Sequence, residues 1–360
     1  MPSFIERFAA HRAARTAATA ESSANSHWDA LLRDASGQIF RVPSDADFAA
    51  CRRVADAYRP ILDGYGIPHD EFFGGSIKDQ DAAAIYAIVR ERCPRRAYQV
   101  GTFVGYSALV IASALRENGE GVVVCCDPEI PHRTFINPVD VARDMARELG
   151  LEEHVRFERG WHAVPIGDDF SQSFSREIPV RGPDALRTLG EVEFAFVDGD
   201  HSLSATICDL MLIQQHLAVG GVAVFHDVKS WPSVAHALHA FRSDIYFYRE
   251  GTRAFFDFDA FDGPDGLAAI ERRKAVCKPL LCLRVVALDG SPIAQAEVAL
   301  PERGFCARTG RDGRVFYFGD ADAATRLRVA SPAFEPADEA LGVCTAGDYA
   351  ERTVRLAPRR

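Results

Sequence analysis

The chain has 360 residues, 48% of them hydrophobic and 26% charged, a balance that suits a globular protein of about two domains. A formal net charge of −10 argues against a nucleic-acid partner, which would need clustered Lys and Arg. No apolar run is long enough to span a bilayer, so no membrane partner is expected.

Residues 1–70 read as a helical N-terminal extension with linkers. Its segment "FIERFAAHRAARTAATA" is rich in Arg and poor in acids, and reads as an exposed amphipathic helix rather than a transit peptide. No apolar stretch of a secretory signal accompanies it, and the expected location is the cytoplasm. "DADFAACRRVADAYRPILDGYG" carries apolar residues at helical spacing and stops at Gly64 and Gly66. In "GGSIKDQDAAAIYAIVRERCP", Gly74 and Gly75 give a flexible entry. Ser76 and Asp79 stand in capping-box spacing, and the helix should close before Pro94.

Strands and helices then alternate. "RAYQVGT" is a strand and "YSALVIASALREN" a helix; "GVVVCCDPE" is a strand and "PVDVARDMARELG" a helix stopped by Gly150; "HVRFERG" is a strand. The segment from Trp161 to Gly190 reads as a site loop. "EVEFAFVDGD" and "VAVFHDV" are nearly continuous apolar runs, as strands buried on both faces require. Between them "SLSATICDLMLIQQHLAVGG" reads as a helix with a glycine stop. "SVAHALHAF" is a helix, and "IYFYREG" with "RAFFDFD" a closing antiparallel hairpin. This is a doubly wound α/β pattern. From residue 275 to 358 the texture changes to short alternating strands with turns at Asp289-Gly290 and Asp312-Gly313, a small all-β sandwich. Nine cysteines stand without CxxC or finger spacing. Cys125 and Cys126, adjacent in one strand, should point to opposite faces as buried thiols, and no structural zinc site is expected.

Ligands of doubly wound sheets sit beyond the carboxyl ends of the strands, at the switch point. Gly101 and Gly105 lie in the turn after the first strand, where glycine lets backbone approach a ligand and exposes helix N–H groups. Asp127 ends the second strand, where an acid can accept both hydroxyls of a ribose or cap the following helix. Asp198 and Asp227 end the two later apolar strands.

On "YQVGTFVGYSALVIASAL", "CDPE", "GGSIKDQDAAAIYAIV" and above all "FAFVDGDHSLSATICDLMLIQQHLAVGGVAVFHDV", the chain resembles a class I S-adenosylmethionine-dependent methyltransferase. More narrowly, it resembles the cephalosporin hydroxylase-like and metal-dependent sugar O-methyltransferase group. The C-terminal strands resemble a carboxypeptidase regulatory-like β-sandwich. The fold implied is a Rossmann-like doubly wound sheet over residues 71–272, preceded by the helical extension of residues 1–70 and followed by the sandwich of residues 275–358. The resemblance implies S-adenosylmethionine as cofactor, bound by Gln99, Gly101, Thr102, Gly105, Ser107, Asp127, Trp161 and Asp198. Gln99 stands where the family usually has an acid. His201 matches the position of a general base, and Asp198, His226 and Asp227 that of a metal set. Two carboxylates suit Mg²⁺ or another divalent cation, and a histidine ligand shifts the preference toward Mn²⁺, Fe²⁺ or Zn²⁺. His226 is either that ligand or a packed, hydrogen-bonded histidine, and Asp200 is a substitute ligand. His132, His162 and Trp161 are expected near the same edge, and Trp231 as a wall of the acceptor pocket.

The reaction implied is methyl transfer to a hydroxyl of a sugar or natural-product-like small molecule, glycosylated acceptors included; a homo-oligomer is compatible. Two alternatives stay open. One is a hydroxylase-like use of the fold, although the sequence shows no convincing spacing of two His and one carboxylate for iron and oxygen chemistry. The other is a non-catalytic binding or scaffold protein, for which Gln99 is the main support.

Overall fold

The computed structural model describes residues 25–70, 75–130, 138–163, 178–243, 252–274, 280–319, 321–342 and 349–359. Helices α1 (Ser26–Arg33) and α2 (Asp45–Tyr65) lead into α3 (Asp79–Arg92). Then come β1 (Arg96–Val100), α4 (Tyr106–Asn118), β2 (Val122–Asp127), α5 (Pro138–Glu148) and β3 (Val155–Arg159). They are followed by α6 (Gly182–Leu189), β4 (Val192–Val197), α7 (Leu203–His216), β5 (Leu217–Phe225) and α8 (Pro232–Ser243). Strands β6 (Phe256–Phe261) and β7 (Leu267–Arg272) complete a seven-stranded sheet of order β3-β2-β1-β4-β5-β7-β6. Every pairing from β3 to β5 is parallel, and β7 runs antiparallel to both β5 and β6. This is a Rossmann-like doubly wound fold.

Strand alternation divides the core. Val123 and Cys125 of β2, Phe194 and Phe196 of β4, and Val222 and Val224 of β5 face one apolar cluster, with α2, α3 and α4. Their neighbours Val124 and Cys126, Ala195 and Val197, and Ala223 and Phe225 face the other, with α1, α7 and α8. Cys125 and Cys126 thus point to opposite faces, as expected.

Local chemistry sets the helix ends, not always as the sequence suggests. The α2 cap is a full capping box: Ser44 accepts from the Asp47 N–H, and the Asp47 carboxylate accepts from the Ser44 N–H. Pro60 lies within α2, which ends at Gly66 in the left-handed region. The expected Ser76–Asp79 box does not form. Helix α3 begins at Asp79 behind Lys78, without a side-chain cap, and the buried Ser76 hydroxyl finds no hydrogen-bond partner. The segment "LAVGG" does not stop α7 but opens β5. The register shifts between Val192 and Phe194, and Gly220, at φ +83°, supplies the turn of the chain there. Inside the expected Trp161–Gly190 loop stands α6, with Pro in its first turn and Leu186 buried. The closing hairpin also differs: β6 pairs with β7, whose "LAAIER" alternates too weakly to announce a strand, and "IYFYREG" lies outside the described residues.

The C-terminal strands form two sheets, β10-β9-β12-β13 and β11-β8-β14. They comprise β8 (Leu280–Ala287), β9 (Glu297–Leu300), β10 (Phe305–Arg308), β11 (Arg314–Phe318), β12 (Arg326–Ala330), β13 (Ala337–Ala340) and β14 (Tyr349–Leu356). They enclose their own apolar core, with Leu283, Val298 and Leu327 fully buried. Cys282 and Phe316 join the core on the α7 and α8 side of the large sheet. Among the described residues, no helix is long and apolar enough to cross a membrane.

Candidate functional site

The carboxyl ends of β1, β2, β4 and β5 lie side by side, with the direction of winding reversing between β1 and β4. Backbone hydrogen bonds carry the register past the strand ends: Gly101 N–H to Cys126 O, Asp198 N–H to Val100 O, and His226 N–H to Val197 O, at 2.9–3.0 Å.

The loop from Gly101 to Gly105 is locked from several sides. Gln99, fully buried, donates from Nε2 to Gly101 O at 2.7 Å and to Ser107 Oγ at 2.9 Å. Its Oε1 has no partner. Asp127 Oδ2 accepts from Thr102 N–H at 2.6 Å and Phe103 N–H at 3.3 Å, and Oδ1 from Glu129 N–H at 2.6 Å. Burial raises the Asp127 pKa, against the N–H groups of Glu129, Thr102 and Phe103, which favour the carboxylate. Tyr58 of α2, which the sequence reading did not single out, donates to Val104 O at 2.8 Å.

The two glycines answer first to close packing inside the protein. Both have positive φ, +76° at Gly101 and +84° at Gly105. A Cβ at 101 would stand 2.1 Å from Asp198 O, and one at 105 would stand 2.4 Å from Ala142 Cβ of α5. Gly101 therefore lets the β1 and β4 ends touch, and Gly105 seats the start of α4 on α5.

Beside this loop, carboxylates and imidazoles alternate. His201 Nε2 lies 2.9 Å from Asp227 Oδ2 and 3.5 Å from Asp198 Oδ1. His226 Nδ1 lies 3.4 Å from Asp198 Oδ1 and 3.7 Å from Asp227 Oδ2. His226 Nε2 lies 3.5 Å from Asp81 Oδ2. The His201 ring stacks on Trp231, centroids 5.0 Å apart and planes 9° apart. Ser233 Oγ donates to the His201 carbonyl. Asp227 itself holds φ +60°, unusual for a non-glycine residue and a mark of a site held in place by its surroundings.

The charges reinforce one another. Burial works against an ionised Asp198, yet His226 and His201 hold it well below the usual carboxylate range. Burial lowers the His201 pKa, but the carboxylates of Asp198 and Asp227 outweigh it and raise the value to about 9. His226 is likewise raised well above its ordinary value: burial opposes, while Asp198, Asp81 and Asp227 favour the proton.

Two sets of donor atoms converge, each within 4.8 Å: Asp198, His201 and Asp227, and Asp81, His226 and Asp265. The expected triplet Asp198, His226, Asp227 is also adjacent, through His226 Nδ1. Neither ring nitrogen of His226, nor Nε2 of His201, makes a regular hydrogen bond. Carboxylate oxygens and imidazole nitrogens converging in this way, at a partly exposed edge, are the donors a divalent cation takes.

The other expected residues divide. Thr102 is buried within the locked loop and Ser107 in the first turn of α4. Trp161 is buried, its backbone bridged to Val180. Asp200 turns to its own chain, accepting from Ser202 N–H at 2.7 Å, and joins neither convergent set. His162 does not face the edge. It is 4% exposed and pairs through Nδ1 with the Oη of Tyr98 of β1 at 2.9 Å. His132 lies outside the described residues. Asp81 and Asp265 were missed; the signal for Asp81 was an acid inside the apolar run "DQDAAAIYAIV".

Comparison with known proteins gives three results. No curated protein matches the chain. Solved structures similar to it include a methyltransferase from Podospora anserina bound to S-adenosylhomocysteine. It is 17% identical, with 62% of this chain and 88% of that one covered and a TM-score of 0.41. An O-methyltransferase from Bacillus cereus with the same ligand is 14% identical, covering 64% and 93%, at 0.41. The O-methyltransferase TomG from Streptomyces achromogenes, with S-adenosylmethionine, is 16% identical, covering 69% and 99%, at 0.40. Residues 98–228, which hold the glycine loop, Asp127, Asp198, His201, His226 and Asp227, match the family model described as Methyltransferase domain.

Proposed function

We propose that the chain is an S-adenosylmethionine-dependent O-methyltransferase acting on a hydroxyl of a sugar or natural-product-like small molecule. The observation that carries this reading is one juxtaposition. A glycine loop pinned by an acid at the second strand end adjoins a convergent Asp198–His201–Asp227 group at the next strand ends, within the segment that matches the methyltransferase family.

Methyl transfer from a sulfonium is an in-line displacement, in which placement of the acceptor oxygen supplies much of the rate. The bond from sulfur to the methyl carbon breaks as the bond from carbon to the acceptor oxygen forms, and the hydroxyl proton must leave. In this reading the loop from Gly101 to Gly105, with Asp127, holds the methionine and ribose end of the donor. Trp161 lies on its adenine side. Asp198, His226 Nδ1 and Asp227 would hold a divalent cation, which would lower the pKa of a bound acceptor hydroxyl. His201, braced by Trp231, accepts the proton. The chemistry needs its imidazole neutral, and the pair of carboxylates that holds its proton is the same pair that would bind the cation.

The test is a calorimetric titration of S-adenosylhomocysteine into the full chain. Binding in the micromolar range, weakened by Asp127→Ala, is the expected result. No binding at millimolar ligand would reject the reading in favour of a scaffold or hydroxylase-like role on the same fold.

A further inference from the structure

We propose that Asp81 is the positioning residue of the candidate metal set: a buried carboxylate on α3 that orients His226 so that its Nδ1 faces Asp198 and Asp227. The inference rests on the metal reading of that site and assigns it a residue outside the family-matched segment.

The case begins with burial. Asp81 is 0% exposed, in the first turn of a helix whose next eight residues are also buried. A carboxylate in such a place costs several kcal/mol unless it is paired or hydrogen-bonded. Asp81 Oδ2 accepts one hydrogen bond, from Asp265 N–H at 3.2 Å, and Oδ1 accepts none. The ring nitrogen that faces it is His226 Nε2, at 3.5 Å from Oδ2. Space has been kept for the carboxylate as well: a Cβ on Gly263 would fall 1.7 Å from Asp81 Oδ1. The β6–β7 turn thus closes over Asp81 with a glycine and offers it a backbone N–H.

The two nitrogens of His226 are divided between two carboxylates. Nε2 faces Asp81, and Nδ1 faces Asp198 at 3.4 Å and Asp227 at 3.7 Å. A histidine that binds a metal through one nitrogen commonly has its other N–H held by a carboxylate, which fixes both ring orientation and tautomer. Asp81 is placed to do this for His226: with the Nε2–H directed at Asp81, the Nδ1 lone pair is left toward the metal set.

The experiment is a double-mutant cycle on Mn²⁺ affinity, measured by calorimetry on the full chain after chelation and dialysis, with S-adenosylhomocysteine affinity measured beside it. Asp81→Asn keeps the shape and removes the charge; His226→Gln removes the imidazole. Each should weaken Mn²⁺ binding by about 10–100-fold, and the double variant should lose no more than the worse single one. S-adenosylhomocysteine affinity should hold within about two-fold, because the polar partners of Asp81, Asp265 and His226, lie outside the Gly101–Gly105 loop. Gly263→Ala is the second variant. It leaves the charge in place but displaces the carboxylate, and should weaken Mn²⁺ as well.

Wild-type Mn²⁺ affinity in Asp81→Asn would overturn the proposal, leaving Asp81 a structural group. Fully additive losses in the double variant would also overturn it, since Asp81 would then act independently of His226. A wild-type chain that binds S-adenosylhomocysteine but no Mn²⁺ at millimolar concentration would sink both the metal set and the role of Asp81. Mn²⁺ binding with no S-adenosylhomocysteine binding would instead reject the cofactor reading, while the cycle would still decide on Asp81.

Discussion

Gly101 lies against the backbone of Asp198 so closely that a single added carbon would stand 2.1 Å from the Asp198 carbonyl oxygen. Gly101→Ala must therefore move the β4 end as well as adopt φ +76°. We expect a loss of about 2–4 kcal/mol, from steric displacement added to left-handed backbone strain, and loss of S-adenosylhomocysteine binding. Gly119→Ala is the control. It has φ +87° with nothing within 4 Å of its Cβ, and should cost about 1–2 kcal/mol with ligand affinity intact. Thermal melts and calorimetry on the two variants separate contact from strain, and equal effects would refute the close-contact account.

Asp127→Ala leaves three backbone N–H groups, those of Thr102, Phe103 and Glu129, without their carboxylate. The expected cost is about 1–3 kcal/mol, together with loss of ligand binding because the loop is no longer pinned. Asp127→Asn keeps one acceptor oxygen and should recover part of the stability but little of the affinity. Denaturant melts read the first effect and calorimetry the second.

His201→Ala should lower methyl transfer to an accepted hydroxyl by about 10²–10⁴-fold with S-adenosylhomocysteine affinity unchanged. Asp198→Ala, Asp227→Ala and a chelator should abolish turnover. Trp231→Ala, which removes the ring stacked on His201, should cost about 0.5–1.5 kcal/mol of positioning, a two- to ten-fold loss in rate. Full activity in a chelator would reject the metal, and unchanged turnover in His201→Ala would reject the base.

His162 supplies a pH prediction. Burial, with the nearby His216, lowers its pKa to about 3, against about 6.5 in an unfolded chain. Between these values the unfolded chain binds the extra proton, so stability rises with pH across that window. The contribution is complete above about pH 6.5 and is lost as pH falls toward about 3, at up to about 1.4 kcal/mol per pH unit. His162→Gln keeps a partner for Tyr98 and does not titrate. Its acid unfolding limb should be shallower than that of the wild type, and identical limbs would contradict the buried neutral imidazole.

The parallel core was legible because strands buried on both faces leave long apolar runs, as "FAFV" and "VAVF" do. The strand-end acids were legible because Asp198 follows the first run directly and Asp227 follows the second with only His226 between. Strand β7 was not, since an antiparallel strand beside β6 needs only a short alternating segment, and "LAAIER" reads equally well as helix. Asp81 was missed for a different reason. Its role depends on His226 and Gly263, both distant in the chain, so the acid inside "DQDAAAIYAIV" marks an anomaly in the helix without naming its partner. The glycines were located correctly, but their contacts with Asp198 and Ala142 required the register between strands.

The reversed direction of β7 places its beginning, not its end, beside His226 and Asp227, with Ala268 opposite Phe225. The hairpin turn before it, which carries Gly263 and Asp265, is thereby delivered to the same edge as four parallel strand tips. Parallel strands bind their turns to crossover helices, and a change there disturbs the sheet. Here the hairpin turn is tethered by its own contacts: the Asp265 N–H donates to Asp81, the Asp265 carbonyl accepts from the Lys229 and Ser230 N–H groups, and the Gly266 carbonyl accepts from the Val228 N–H. Residues 262–266 therefore clamp α3 to the chain just past Asp227, so that an insertion or deletion in this turn would disturb Asp81 and the strand-end acids together.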